Sequence, residues 1–457
     1  MFKKETYIKR RLQLQKTVGK GVLLFLGNEE CGMNYEDNAY DFRQDSTFLY
    51  YFGIASAGLA AVINIDDDET IIFGDDISID HIVWMGILPS VSELSALAGV
   101  TKSLPAGKLQ EYLAGVKAKG QAINYLPTYR AEHKLKLQTL LGLSVAAQTP
   151  SVEFIKAVVN QRNYKSEEEI AEIDKACAIT ADMHIAAMKA VAVGKKEYEI
   201  AAIINETALA GGGRLAFPTI ATINGQTLHN HYHGNTIGEG ALFLVDAGAE
   251  TEMGYAGDMS STIPSGRRFT QRQKDVYDIQ VASHVASVEA LKPGVPFMDI
   301  YDLSARIICD GMKSLGVMKG DSADAVREGA HAMFFPCGLG HMMGLDVHDM
   351  ENLGEVWVGY DGKPKSTQFG RKSLRLARPL EPGFVLTIEP GVYFIPELID
   401  LWKGEGKFRD FINYDKLEEY RTFGGIRNEE DYLITENGYR LLGKKIPLTT
   451  DEVEALR

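Results

Sequence analysis

Apolar residues follow two rhythms along this chain. From Gly21 to about Leu126 they come in short runs, Val22–Leu26, Phe48–Phe52, Leu59–Ile65, Ile71–Phe73 and Ala122–Leu126, set between stretches of helical spacing at Ser92–Ala98 and Leu109–Lys117. Short apolar runs read as buried strands, and strands alternating with helices predict an α/β domain with a largely parallel sheet. The run Asp66-Asp67-Asp68 reads as a solvated turn. The polar and aromatic segment Asp41–Gly53 reads as a strand at a domain or subunit contact.

Near Thr149-Pro150 the rhythm changes, and the domain boundary is placed between about Thr149 and Lys165, giving domains 1–155 and 156–457. Ser166 and Glu169 form the pattern of a capping box, after which Ile170, Ile173, Cys177, Thr180, His184, Met188 and Val191 recur at helical spacing. On that stripe His184 is expected to pack. Further amphipathic helices are predicted at Glu197–Ala210, Gln271–Leu291 and Met298–Leu315, with strands at Ala241–Asp246, Asp258–Ile263, Val385–Glu389 and Asp431–Thr435. Antiparallel strands covered by helices, an α+β layer, account for this part most simply.

The chain has 457 residues, enough for two or three domains with ample core. A formal charge of −14 argues against nucleic acid or an anionic membrane as partner, and no apolar run is long enough to span a bilayer. Four dispersed cysteines and a charged amino terminus without an apolar core predict a reduced, cytoplasmic protein.

The chemistry gathers in four stretches. In LFLVDAGAETEMGYAGDMSST (Leu242–Thr262) an apolar strand ends on Asp246, and Asp258 opens the returning strand, so a hairpin would aim both acids at one point. No Lys or Arg lies between them, which points to a metal rather than a local ion pair. His341 sits among glycines in GLGHMMGLDVHD, Glu389 ends the apolar strand of VLTIEPG, and Glu429 and Glu430 stand beside Arg427 in GIRNEED. His229, His231 and His233 cluster in LHNHYHGN. Four strand-end carboxylates and one imidazole suit hard or borderline divalent ions, and four negative charges would balance two such cations.

Taken in order, VDAG…YAGDMSST, GLGHMMGLDVHD, TIEPGVY and GIRNEED resemble the motifs of the pita-bread metallopeptidases, specifically the Xaa-Pro aminopeptidase (aminopeptidase P) and prolidase branch. RRLQLQ and YDFRQDSTFLYYFGI resemble the α/β amino-terminal domain of that branch, so the likeness covers nearly the whole chain. It implies a creatinase/aminopeptidase-like catalytic domain with a dinuclear centre held by Asp246, Asp258, His341, Glu389 and Glu429, the last preferred over Glu430 by the GIRIED pattern. The metal implied is Mn²⁺, with Co²⁺ or Zn²⁺ as alternatives. Arg427 would orient the ligands, Glu389 would be the general base acting on a metal-bridging hydroxide, and His348 with His229 or His231 would complete the catalytic set. His229 is the first choice of that pair on its spacing to Asp246. Trp84 would line a substrate pocket, a packed surface aromatic being the alternative.

Two departures stand out. The interval from Asp246 to Asp258 is one residue longer than is common in the branch, and Cys337 occupies the place of a His that holds substrate beyond the scissile bond. The resemblance predicts hydrolysis of the bond between an amino-terminal residue and a following proline, in a homodimer or larger homo-oligomer that binds neither nucleic acid nor membrane. A prolidase limited to dipeptides is the near alternative, and the charged, aromatic stretch Leu398–Gly424 is read as a loop gating substrate length or a solvated insertion. A non-catalytic binding module or a metal-free amidinohydrolase would be expected to lose ligands that this chain keeps.

Overall fold

In the computed structural model, which describes residues 1–457, an opening helix at Lys4–Val18 leads into strands β1 (Val22–Leu26), β2 (Ala60–Asn64), β3 (Glu69–Phe73), β4 (Lys102–Leu104) and β5 (Ile123–Tyr125). They form one sheet in the order β4-β3-β2-β1-β5. The expected largely parallel sheet is corrected to a mixed one: β1 pairs β5 and β3 pairs β4 in parallel, but β1/β2 and β2/β3 are antiparallel. For β2/β3 the reason is the Asp66–Asp68 turn, which joins the two strands too tightly for a crossover and places Asp68 at φ 51.

Phe48–Phe52, expected as a strand, is a helix at Ser46–Phe52. Asp45 caps it by accepting from the Phe48 backbone N–H, and Gly53 ends it in the left-handed region, so terminal chemistry overrides the apolar run. The helix lies on one face of the sheet, where Phe25 meets Tyr51, Phe52 and Phe154 at ring distances of 5.4, 5.4 and 5.3 Å. Leu109, Leu113, Val116, Leu137 and Leu141 cover the other face over Val22, Val62, Ile71 and Phe73. This unit comprises Met1–Arg162 together with Met350–Trp357.

The second compact unit comprises Asn163–Asp349 and Val358–Arg457. Its strands are β6 (Gly213–Leu215), β7 (Ile220–Thr222), β8 (Leu242–Ala247), β9 (Ala249–Thr251), β10 (Met259–Pro264), β11 (Val385–Ile388), β12 (Gly391–Tyr393), β13 (Gly425–Arg427), β14 (Glu430–Thr435) and β15 (Gly438–Leu441). They pair as antiparallel sheets β10-β8-β7 and β11-β14-β15, with ribbons β12-β13 and β6-β9. The predicted capping box at Ser166 and Glu169 starts the helix Glu167–Ala190. Met183, Ala187 and Met188 of that helix and Ile200 and Ile204 of Glu197–Ala210 pack on Phe243, Val245 and Ile263. Each large apolar side chain fully buried in this seam contributes roughly 1.5–3 kcal/mol relative to exposure.

His184 packs as expected, its Nδ1 2.7 Å from Ser261 Oγ and its Nε2 3.1 Å from the Ala247 carbonyl. The stretch Leu398–Gly424 is neither a loop nor a solvated insertion. It holds helices at Pro396–Glu405 and Tyr414–Leu417, and it buries Ile399, Trp402, Leu417 and Tyr420. Aromatic contacts of Trp402 with Phe369 and Phe408, at 5.7 and 5.1 Å, explain the density of rings there.

Candidate metal centre

Each acid owes its place to a strand end. β8 and β10 pair with Ser260 opposite Asp246, so the hairpin returns Asp258, the residue before β10, to the neighbourhood of Asp246. A bridge between Ser260 and Glu429 then docks the start of β14 alongside, with the Glu429 N–H donating to the Ser260 carbonyl at 3.0 Å. Glu389 follows β11, and its N–H donates to the Leu339 carbonyl at 2.8 Å. His341 is tied to β11 from the other side, its backbone carbonyl accepting from the Thr387 N–H at 3.1 Å. A Cβ at Gly340 would overlap the Thr387 carbonyl, which is why glycine precedes the histidine.

Nδ1 of His341 lies 3.1 Å from the Met342 carbonyl, which only an N–H can satisfy. That sets the tautomer and turns Nε2 to the acids, 3.4 Å from Asp258 Oδ2 and 3.7 Å from Glu389 Oε1. Asp258, His341 and Glu429 each offer one ligand atom within 4.8 Å of the others. Asp258 Oδ1 and Glu429 Oε1 are buried without a hydrogen-bond partner. A buried carboxylate oxygen left bare is expensive, so this pair of orphaned oxygens beside an imidazole fits a divalent cation.

The electrostatics agree. Burial, and then the charge of Asp246, push the Asp258 carboxyl up to about 8. Burial pushes Glu429 well above the carboxylate range, with Asp258 and Glu389 adding to it, and burial raises Glu389 as well. The acids therefore crowd one another and call for positive charge. Arg427 supplies part of it: Nη2 lies 2.5 Å from Asp246 Oδ2, Nε donates to Ser260 Oγ at 2.9 Å and Nη1 to Tyr393 OH at 2.8 Å. Asp246 thus forms an ion pair after all, with a partner from another strand that inspection of the hairpin alone could not supply. Ser260 also donates to Glu429 Oε2 at 2.7 Å.

Around this core, the His348 ring lies 4.3 Å from that of His341 at 66°. The next residue, Asp349, is locked by Lys165 at 2.8 Å with both side chains buried. His229 and His231 sit on an exposed loop. Lost hydration, and then the charge of Arg427, lower the His229 pKa, with Asp246 and His348 also within electrostatic range. Glu197 ties down both ends of that loop, accepting from Thr222 Oγ1 at 3.0 Å, Ile223 N–H at 2.9 Å and Asn235 N–H at 3.0 Å. Burial, and then Glu389, push the Cys337 thiol up to about 12, so it is a neutral thiol beside the acids. Trp84 is 85% exposed on the Ile79–Met85 helix of the first unit.

Two other histidines, His233 of the LHNHYHGN cluster and His331 ahead of the GLGHMMGLDVHD stretch, are structural. His331 is buried with Nε2 2.9 Å from Tyr301 OH and a pKa lowered to about 4, and His233 Nε2 pairs with the Thr219 carbonyl at 3.0 Å. Sequence reasoning missed Ser260, Tyr393, Glu197 and the Lys165–Asp349 pair. Ser260, Tyr393 and Asp349 lie within the quoted motifs, whereas Glu197 and Lys165 lie outside them.

Antiparallel sheets backed by helices around a buried cluster of strand-end acids and one histidine define a pita-bread metalloenzyme. The chain belongs to metallopeptidase family M24, whose model matches residues 171–436, and residues 7–124 match the amino-terminal domain of aminopeptidase P. It is 31% identical to the Xaa-Pro dipeptidase of Homo sapiens, over 97% of this chain and 90% of that one. It is 30% identical to the Xaa-Pro aminopeptidase of Escherichia coli strain K12, over 99% and 97%. Aminopeptidase P from E. coli with the inhibitor Pro-Leu superposes with a TM-score of 0.81 at 28% identity, covering 100% of this chain and 98% of that one.

Proposed function

We propose that this metallopeptidase cleaves the peptide bond between an amino-terminal residue and a following proline, as an Xaa-Pro aminopeptidase. The observation that carries the metal chemistry is the convergence of ligand atoms of Asp258, His341 and Glu429, with a buried oxygen on each of the two acids left without a hydrogen-bond partner. Asp246, Asp258, His341, Glu389 and Glu429 would hold two divalent ions, Mn²⁺ foremost. Bound there, the ions would polarise the scissile carbonyl and acidify the attacking water.

The remaining work falls to side chains. Glu389, with 21% of its side chain exposed against 6% for Asp258, is the acid a water proton can reach, and burial makes it a stronger base than a free carboxylate. His348, adjacent to His341, and His229 stabilise the developing oxyanion and return a proton to the leaving nitrogen, with His231 the alternative to His229. The substrate α-amino group pairs with Asp246, whose orientation Arg427 fixes. Proline suits the leaving side because its ring fixes φ and its nitrogen is tertiary. Cys337 and Trp84 are assigned to substrate contacts, Cys337 beyond the scissile bond.

The similar identities to a dipeptidase and an aminopeptidase support a second reading, in which the substrate is a dipeptide. One experiment addresses both. Xaa-Pro and Xaa-Pro-Yaa peptides are assayed with and without chelator, and activity is expected to vanish on chelation, return with Mn²⁺ and extend to the longer peptide. Full activity after chelation refutes the metal reading, and hydrolysis of dipeptides alone selects the second. We also infer a cytoplasmic homodimer or larger assembly, supported by four unpaired cysteines and by the exposed Ile79, Val83 and Ile87. No helix is long and apolar enough to cross a membrane.

A further inference from the structure

The helix Gln271–Glu289 turns Tyr277, Gln280 and His284 toward the segments that carry the acids. Gln280, fully buried, donates from Nε2 to the Pro390 carbonyl at 2.7 Å and to the Asn428 carbonyl at 3.4 Å. Its Oε1 accepts from Asn428 Nδ2 at 2.5 Å. Pro390 directly follows Glu389, and Asn428 directly precedes Glu429. Oδ1 of Asn428 accepts from the Thr262 backbone N–H at 3.3 Å and from Tyr277 OH at 3.0 Å. Thr262 lies on β10, the strand that Asp258 opens.

The orientation of these amides is fixed by chemistry. The Thr262 N–H can only donate, so Asn428 must present its oxygen there and its NH₂ to Gln280, whose own NH₂ then faces the Pro390 carbonyl. Neither amide leaves a buried polar atom unpartnered. Two side chains thereby connect the segments of Glu389, Glu429 and Asp258. Asn428 stands where the GIRIED pattern has an apolar Ile, so in this chain hydrogen bonds do the joining.

We propose that Gln280 and Asn428 are positioning residues, an amide brace that sets the separation of the Glu389, Glu429 and Asp258 carboxylates. The inference rests on the metal reading above. Hydrogen bonds to groups flanking a ligand hold direction as well as distance, so loosening them would misplace oxygens that must converge on one ion.

The test uses full-length, metal-loaded protein carrying Gln280→Leu, Asn428→Ile, or both. Mn²⁺ affinity is measured by chelator competition, kcat and KM on an Xaa-Pro peptide, and folding by circular dichroism. Each single variant is expected to lose about 10-fold or more in Mn²⁺ affinity and in kcat. KM should move less than about 2-fold. The double variant should lose no more than the worse single, because either change severs the brace. Folded variants with wild-type affinity and kcat, or losses that add, overturn the proposal. If an amide variant does not fold, Tyr277→Phe supplies the readout, since it keeps the ring and removes one bond to Asn428. A several-fold loss of Mn²⁺ affinity is expected there, and unchanged affinity counts against the brace. A wild-type protein that binds no divalent ion refutes the metal centre and the brace together, whereas normal binding in wild type and variants alike refutes the brace alone.

Discussion

Arg427 meets Asp246 as a partly buried ion pair at 2.5 Å, and the same guanidinium is held by Tyr393 and Ser260. A lysine can carry the charge but cannot present donors in three fixed directions. Arg427→Lys should therefore lower kcat by about 10-fold or more. Arg427→Leu strands the Asp246 charge and should cost about 3–5 kcal/mol as well. Urea unfolding and kcat together check this; equal stability in the two variants would contradict it.

Asp258 offers an orphaned oxygen to the centre. Asp258→Asn keeps the shape and removes the charge, so bound metal should fall well below two per chain and peptide hydrolysis by at least about 100-fold. Metal analysis of the purified variant decides the point, and wild-type stoichiometry would remove Asp258 from the ligand set.

Proton linkage has a definite sign. The Asp258 carboxyl, raised from 3.8 to about 8, favours the protonated folded form. That contribution is fully present below about pH 4 and is lost as pH rises through about 8. The chelated protein should lose stability across that window, and the rise in melting temperature on adding Mn²⁺ should be larger at pH 8 than at pH 5, because binding must release the proton. Thermal scans at both values test this, and a Mn²⁺ effect independent of pH would contradict it.

The histidine loop hangs on Glu197. A Gln there brings an NH₂ against N–H donors, so Glu197→Gln should cost about 1–3 kcal/mol. It should also lower kcat more than it raises KM, since it releases His229. Steady-state kinetics beside a denaturation curve separate the two effects; lost stability with an unchanged kcat would show the clamp to be purely structural.

In the amino-terminal unit, Asp45→Ala removes the cap of the Ser46–Phe52 helix. About 1 kcal/mol should be lost. Thermal melting measures it, and kcat is expected to hold.

Much of this architecture could be read from residue order. The Ser166–Glu169 capping box announced its helix, and four strand ends announced their acids, because those signals are local. The helix at Ser46–Phe52 was hidden because seven residues rich in rings satisfy a strand pattern until the Asp45 and Gly53 termini are considered. The mixed sheet was hidden because apolar runs do not encode strand direction. Arg427 was visible as a residue but not as the partner of Asp246, and Gln280 gave no motif at all, since both pairings close only through the fold. The inclusion of Met350–Trp357 in the first unit likewise follows no local pattern.

β14 enters between β11 and β15, and Glu429 just ahead of it bridges Ser260. The ribosome therefore releases Asp246 and Asp258 long before the acid that completes their set. A half-made chain carries an unfinished trap for cations, and the capacity to cut peptides must wait for Glu429.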